Sequence, residues 1–132
     1  SRYTEWDMEI FPEGLYEGIQ QVWNKYHRPI YITENGIGLY EDTSVNQVED
    51  DDRIEFMDMH IAAVLKAKEG GCDVRGYYAW SPFDLYSWKN GTEKRYGLVA
   101  IDYENGLERR PKKSYYWYKD VIETDGKHIT GK

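Results

Sequence analysis

Pro29-Ile30-Tyr31-Ile32-Thr33-Glu34-Asn35-Gly36 is a short apolar, β-branched and aromatic run that ends in a carboxylate, with a glycine closing it two residues later. It reads as a buried strand over Ile30 to Thr33, with Glu34 at the carboxyl end. In α/β barrels and doubly wound sheets that is where catalytic groups sit, because the strand holds the backbone rigid while the side chain meets the mouth of the fold. Glu34 is therefore the first residue to suspect of chemistry. The plainer alternative is an edge carboxylate bonded to nearby amides, since perturbed carboxylates are often structural.

Upstream of this run, Leu15, Ile19, Val22, Trp23 and Tyr26 fall at helical spacing, and Pro12 suits a first helical turn, so a helix is expected over Pro12 to Tyr26. His27-Arg28-Pro29 ends it, because a residue before proline is pushed out of the helical region. Downstream, Gly36 to Glu49 reads as a long polar loop of the kind that rims an active site. A second helix is expected from about Asp50 to Asp52, with an apolar stripe of Ile54, Met57, Ile61, Val64 and Leu65, stopping at Gly70-Gly71. A strand over Val74 to Trp80 follows, then a polar and aromatic loop from Ser81 to Arg95, and a short strand over Leu98 to Tyr103 with a turn at Asn105-Gly106. The last helix follows Pro111, with Tyr115, Tyr118, Val121 and Ile122 expected on its buried side and a frayed tail from Asp125.

Helix, strand, loop, helix, strand, with both strands apolar, is the order of a parallel sheet covered by helices. The expected fold class is α/β: about the last two βα units of a TIM (β/α)8 barrel, with residues 1–132 forming the carboxyl-terminal segment of a single catalytic domain. A complete barrel takes about 250 residues.

The net charge of −7, with no basic stripe, argues against nucleic acid as a partner. No apolar run reaches spanning length, so no membrane partner is expected. The single Cys72 cannot form an internal disulfide and reads as a small buried filler, and with no secretory leader in view the expected location is the cytoplasm. Aromatic residues make up 16%, including five Trp and thirteen Tyr, an excess that suits rings stacked on sugar faces as well as an aromatic core. His27, His60 and His128 are scattered and Asp50-Asp51-Asp52 lacks the alternation of a calcium loop, so no metal and no cofactor are expected, and the aspartates read as a solvated helix start.

Four separated stretches carry a family resemblance. Thr4-Glu5-Trp6-Asp7-Met8-Glu9-Ile10-Phe11-Pro12-Glu13-Gly14-Leu15, Ile32-Thr33-Glu34-Asn35-Gly36, Arg75-Gly76-Tyr77-Tyr78-Ala79-Trp80-Ser81 and Lys94-Arg95-Tyr96-Gly97-Leu98 stand in order. Together they resemble the carboxyl-terminal part of a family 1 glycoside hydrolase. The resemblance implies a retaining mechanism, in which one carboxylate attacks the anomeric carbon and a second, about 5 to 5.5 Å away, protonates the leaving oxygen. It implies Glu34 as nucleophile and Trp80 as the ring beneath the sugar. The family's acid/base is a Glu between Asn and Pro, and no Asn-Glu-Pro occurs here. The acid is therefore expected from the remainder of the barrel, supplied by an upstream part of the same enzyme, and this segment alone is expected to turn over poorly.

Where ordinary members of the family place a Glu before a Trp in the loop after the last strand, this chain has Ser87-Trp88. Losing that carboxylate removes a charge that would repel a phosphorylated sugar, and Lys94 and Tyr96 add an ammonium and a phenolic donor in the same loop. Ser87, Lys94 and Tyr96 resemble the phosphate clamp of the 6-phospho-β-glycosidase branch, and Trp88 resembles the 6-phospho-galactosidase members at the O3 and O4 side. Arg95 reads as structural, and Asn90 with Gly91 as the turn of the loop. The expected substrate is a phosphorylated disaccharide or aryl glycoside, as 6-phospho-β-glucoside with 6-phospho-β-galactoside also open. Two alternatives stay open: a β-glucosidase for unphosphorylated sugars, and a non-catalytic sugar-binding fragment.

Overall fold

The computed structural model describes residues 2–3 and 8–131. Residues Thr4, Glu5, Trp6 and Asp7 of the first family-like stretch lie outside the described residues. In chain order the elements are β1 (Arg2–Tyr3), β2 (Glu9–Ile10), α1 (Pro12–Tyr26), β3 (Ile30–Asn35), α2 (Asp51–Glu69), β4 (Val74–Ala79), β5 (Val99–Asp102), β6 (Glu108–Pro111) and α3 (Lys113–Glu123). The main helices and strands fall where the periodicity places them. β3 runs two residues further than the apolar pattern, so Glu34 and Asn35 are still on the strand.

The centre of the architecture is the β3-α2-β4 unit. β3 and β4 pair in parallel, with Ile30 opposite Val74, Tyr31 opposite Gly76, Ile32 opposite Tyr77 and Asn35 opposite Ala79. A parallel pair needs a crossover, and α2 supplies it. α1 and α2 cover one face of the pair, where Ile19, Val64, Ala67, Cys72 and Val74 form a buried cluster with Ile30 and Ile32 packed against it. The other face carries Tyr31 and Tyr78, 51% and 57% exposed. One face is clothed by helices and the other is open, so β3, expected as a buried strand, has no fully buried residue.

A second cluster of Ile37, Leu39, Phe56, Met57, Ile61, Leu98, Val121 and Ile129 ties α2 to the loops at the carboxyl ends of the strands and to α3. α2 is buried over much of its circumference, including Arg53, Asp58 and His60, so its core face is wider than the five-residue stripe read from the sequence.

Three further expectations need correction. α3 buries Ser114 and Val121, with Trp117 and Tyr118 packed on the core, whereas Tyr115 is exposed and Ile122 is 66% exposed. The cause is a polar anchor: Ser114 docks on Asp50 through its backbone N–H and its hydroxyl, which fixes the rotation of the helix about its axis. Asp50 is therefore buried, and only Asp51 and Asp52 form the solvated helix start. The tail beyond Asp125 is not frayed, because the Asp58 carboxylate accepts bonds from Thr130 N–H and Gly131 N–H while Ile129 enters the core. The turn expected at Asn105-Gly106 closes an antiparallel hairpin, in which the charged run Glu108–Pro111, not expected as a strand, pairs with β5.

Candidate active site

The carboxyl ends of β3 and β4 open into a cleft of about 920 Å³. Glu34, Trp80, Ser87, Trp88, Lys94 and Tyr96 all line it, so the six residues singled out from the sequence come together. Glu34 reaches it from the end of β3 and Trp80 from the residue after β4. The Trp80 N–H donates to the Asn35 carbonyl at 2.8 Å, and the Tyr77 hydroxyl donates to Asn35 Oδ1 at 2.7 Å, so the residue next to Glu34 is pinned twice to β4. The Glu34 carboxylate is exposed and makes no hydrogen bond or ion pair among the described residues.

Two glycines let these parts approach. A Cβ built on Gly36 would lie 1.9 Å from the Trp80 carbonyl oxygen, far inside any real contact. One on Gly38 would meet Lys94 Cγ at 2.7 Å, so the lysine stem lies directly on bare backbone. Gly36→Ala should therefore force Trp80 away from Glu34 and cost about 1 to 3 kcal/mol of stability, the scale of overpacking a close contact. Urea denaturation checks this, and a loss below about 0.5 kcal/mol would show that the contact does not matter.

The loop between β4 and β5 holds the other four residues. Ser87 and Gly91 exchange backbone hydrogen bonds at 2.8 Å each, and Ser87 Oγ accepts from the N–H groups of Lys89 and Asn90 at 3.3 and 3.2 Å. In both of these bonds the Ser87 hydroxyl acts as acceptor. Gly91 takes φ +63°, as the expected turn requires. Lys94 Nζ stands 5.7 Å from the Tyr96 ring centre, within cation–π range. Trp88 is 94% exposed, its indole presented to whatever enters.

The cleft also takes in residues that the sequence reading did not single out, among them Glu9, Phe11, Tyr86, Phe56 and His60. His60 stacks on Phe56 with ring centres 3.9 Å apart, and its Nδ1 lies 2.6 Å from the Phe56 carbonyl, which places a proton on that nitrogen. Burial pulls the His60 pKa below its ordinary value, opposed by that hydrogen bond, so the ring is neutral near pH 7. Among the described residues no three His, Cys, Asp or Glu side chains gather into a group able to hold a metal ion.

Outside the cleft lining lies a network of largely buried charge. Arg53 pairs with Glu41 and Asp50, and Lys112 pairs with Glu41 and with Asp84, the latter at 2.8 Å. Arg95 Nη1 stands 3.6 Å from Asp84 and donates to the Ile101 carbonyl at 3.0 Å, which makes Arg95 structural as expected. Burial, reinforced by repulsion from Arg53, lowers the Lys112 pKa, while Glu41 and Asp84 oppose the shift. Only the tertiary fold brings these groups together.

Fold and site together define a class: an α/β-barrel segment that presents a carboxylate, aromatic rings and an ammonium at the carboxyl ends of parallel strands. The chain belongs to glycosyl hydrolase family 1, whose family model matches residues 1–127. Among solved structures it is similar to the family 1 β-glucosidase from Thermotoga maritima, in complex with isofagomine lactam and in complex with castanospermine. In both cases the TM-score is 0.89 and the identity 36%, over 95% of this chain and 29% of that chain. The chain thus spans less than a third of the length of these relatives.

Proposed function

We propose that this chain is the carboxyl-terminal segment of a retaining 6-phospho-β-glycosidase, with residues 1–132 belonging to one barrel domain whose other strands carry the acid/base. The observation that carries the proposal is the convergence of Glu34, Trp80, Ser87, Trp88, Lys94 and Tyr96 on one cleft. The Glu34 carboxylate attacks the anomeric carbon as the acid elsewhere in the barrel protonates the departing oxygen. Water then attacks the resulting glycosyl ester, and the same acid, now a base, takes the water's proton. Trp80 stacks against the sugar and keeps water from the reacting face. The Lys94 ammonium, the Tyr96 hydroxyl and the Ser87 proton converge on the 6-phosphate, and charge-assisted bonds to phosphate are the strong kind. Trp88 lies against the O3 and O4 side, and both gluco and galacto epimers are accepted, since one hydroxyl's orientation is a single hydrogen bond. Substrates phosphorylated during uptake are met in the cytoplasm, which is the proposed location. Among the described residues no helix is long and apolar enough to cross a membrane.

Comparing kcat/KM on 4-nitrophenyl β-glucoside and its 6-phosphate tests the proposal. Lys94→Ala should cut the ratio of phosphorylated to unphosphorylated kcat/KM by roughly 10- to 100-fold, the worth of a charged hydrogen bond. Equal losses on both substrates would refute the clamp. The second reading, a β-glucosidase for unphosphorylated sugars, is favoured by the names of the Thermotoga maritima relatives. It requires a preference for the free glucoside in the unaltered enzyme.

A further inference from the structure

We propose that Lys112 is a positioning residue for the phosphate-binding loop: from outside the cleft lining its ammonium holds Asp84 and Glu41, and through them the backbone that aims Lys94 and Tyr96. The inference rests on the phosphate reading above.

Lys112 does not line the cleft and has no exposed surface, so it cannot touch a ligand there. Its reach is through two acids. One is Asp84, whose Oδ1 takes both the Lys112 ammonium, at 2.8 Å, and the Gly97 N–H, at 2.9 Å, while Oδ2 accepts from the Ile101 N–H at 3.3 Å. The other is Glu41, shared with Arg53, whose Nη2 donates to the Arg95 carbonyl at 2.7 Å. Arg95 is further clamped by a two-way backbone bridge to Leu39, at 2.9 Å in each direction, and the Tyr96 carbonyl accepts from the Ser81 N–H at 3.0 Å. Every residue from Arg95 to Gly97 is thus tied down by its backbone.

The alternation of the segment gives these ties their meaning. Lys94 and Tyr96 line the cleft, whereas Arg95 between them turns its guanidinium to Asp84 and the Ile101 carbonyl. Arg95 forms an antiparallel bridge with Leu39, so holding its backbone and guanidinium away from the cleft constrains the direction in which its two neighbours can point. A slip of one residue would bury Lys94 and lift Arg95 into the cleft. Buried ion networks are expensive, and replacing them with apolar residues of similar volume is often neutral or stabilising. A network of Glu41, Asp50 and Asp84 with Arg53, Arg95 and Lys112 is better explained by the loop register it enforces than by stability.

The test uses the full-length protein and two variants, Lys112→Met and the charge-balanced double variant Lys112→Met/Glu41→Gln. Folding is followed by circular dichroism, and KM and kcat are measured on 4-nitrophenyl β-glucoside and its 6-phosphate. The double variant should regain most of the thermal stability lost in Lys112→Met, because no acid is left in excess. Its KM for the phosphorylated substrate should still be raised about tenfold relative to that for the free glucoside, as expected when one charged hydrogen bond loses its alignment. Recovery of phosphate preference together with stability would show a merely structural role and overturn the inference. So would failure of every variant lacking the ammonium to fold. Lys94→Ala serves as the control. If it leaves the substrate ratio unchanged, the phosphate reading has failed. If it lowers the ratio while the folded Lys112 double variant does not, only the positioning role is lost.

Discussion

Replacing Glu34 by alanine in the full-length enzyme should lower kcat on the order of 10⁴-fold or more, the scale seen when a catalytic nucleophile is removed. The expectation rests on the absence of an understudy. Among the described residues, the other carboxylate lining the cleft is Glu9, held on the β1–β2 ladder rather than on the parallel pair. A 2-deoxy-2-fluoro glycoside should form a stable ester on the peptide containing Glu34, read by mass spectrometry, and the alanine variant should give no adduct. Retention of kcat within tenfold, or an adduct on another residue, would remove Glu34 from the chemistry. Absence of any adduct in the unaltered full-length protein would favour a sugar-binding module without turnover.

The second large effect is on stability. Arg53 is 1% exposed and pairs with buried Asp50 and with Glu41, half-buried as a residue but with its side chain only 5% exposed. Arg53→Met leaves two carboxylates facing one lost partner, and breaking a buried pair from one side costs about 3 to 5 kcal/mol. Urea denaturation of the full-length protein should show the midpoint moving down with little change in slope, since the surface exposed on unfolding is nearly the same. The variant also removes one of the two donors to the Arg95 carbonyl, leaving the Leu39 N–H, so its cost extends to the loop carrying Lys94 and Tyr96. A loss below about 1 kcal/mol would mean that the acids find other partners or become neutral.

Much of the fold could be read in the sequence because its signals are local. The spacing of Leu15, Ile19, Val22 and Tyr26, the Arg28-Pro29 break and the β-branched run before Glu34 each act within a few residues, and α1 and β3 follow them closely. The placement of the named residues is local too, since strand ends and the loop after β4 are where a barrel presents side chains, and the structure adds that they share one cleft. What stayed hidden is settled by partners far apart in the chain. The rotation of α3 depends on Ser114 meeting Asp50, and the burial of Lys112 depends on Glu41 and Asp84, pairings with no signature in either neighbourhood. The tail misled for the same reason, because its polar composition suggests solvent while its anchor, Asp58, lies on α2. Phe56 and His60 face the cleft from α2 and looked like ordinary helix residues in the sequence.

The bare backbone at Gly38 offers a way to retune the pocket from below. Because the Lys94 stem rests where a methyl would stand, a single added carbon at position 38 would prise the ammonium away from its seat. Gly36 makes the corresponding close approach at the Trp80 end of the cleft. The Lys94 end and the Trp80 end of the cleft are therefore adjustable by separate one-carbon steps at two glycines of its own wall.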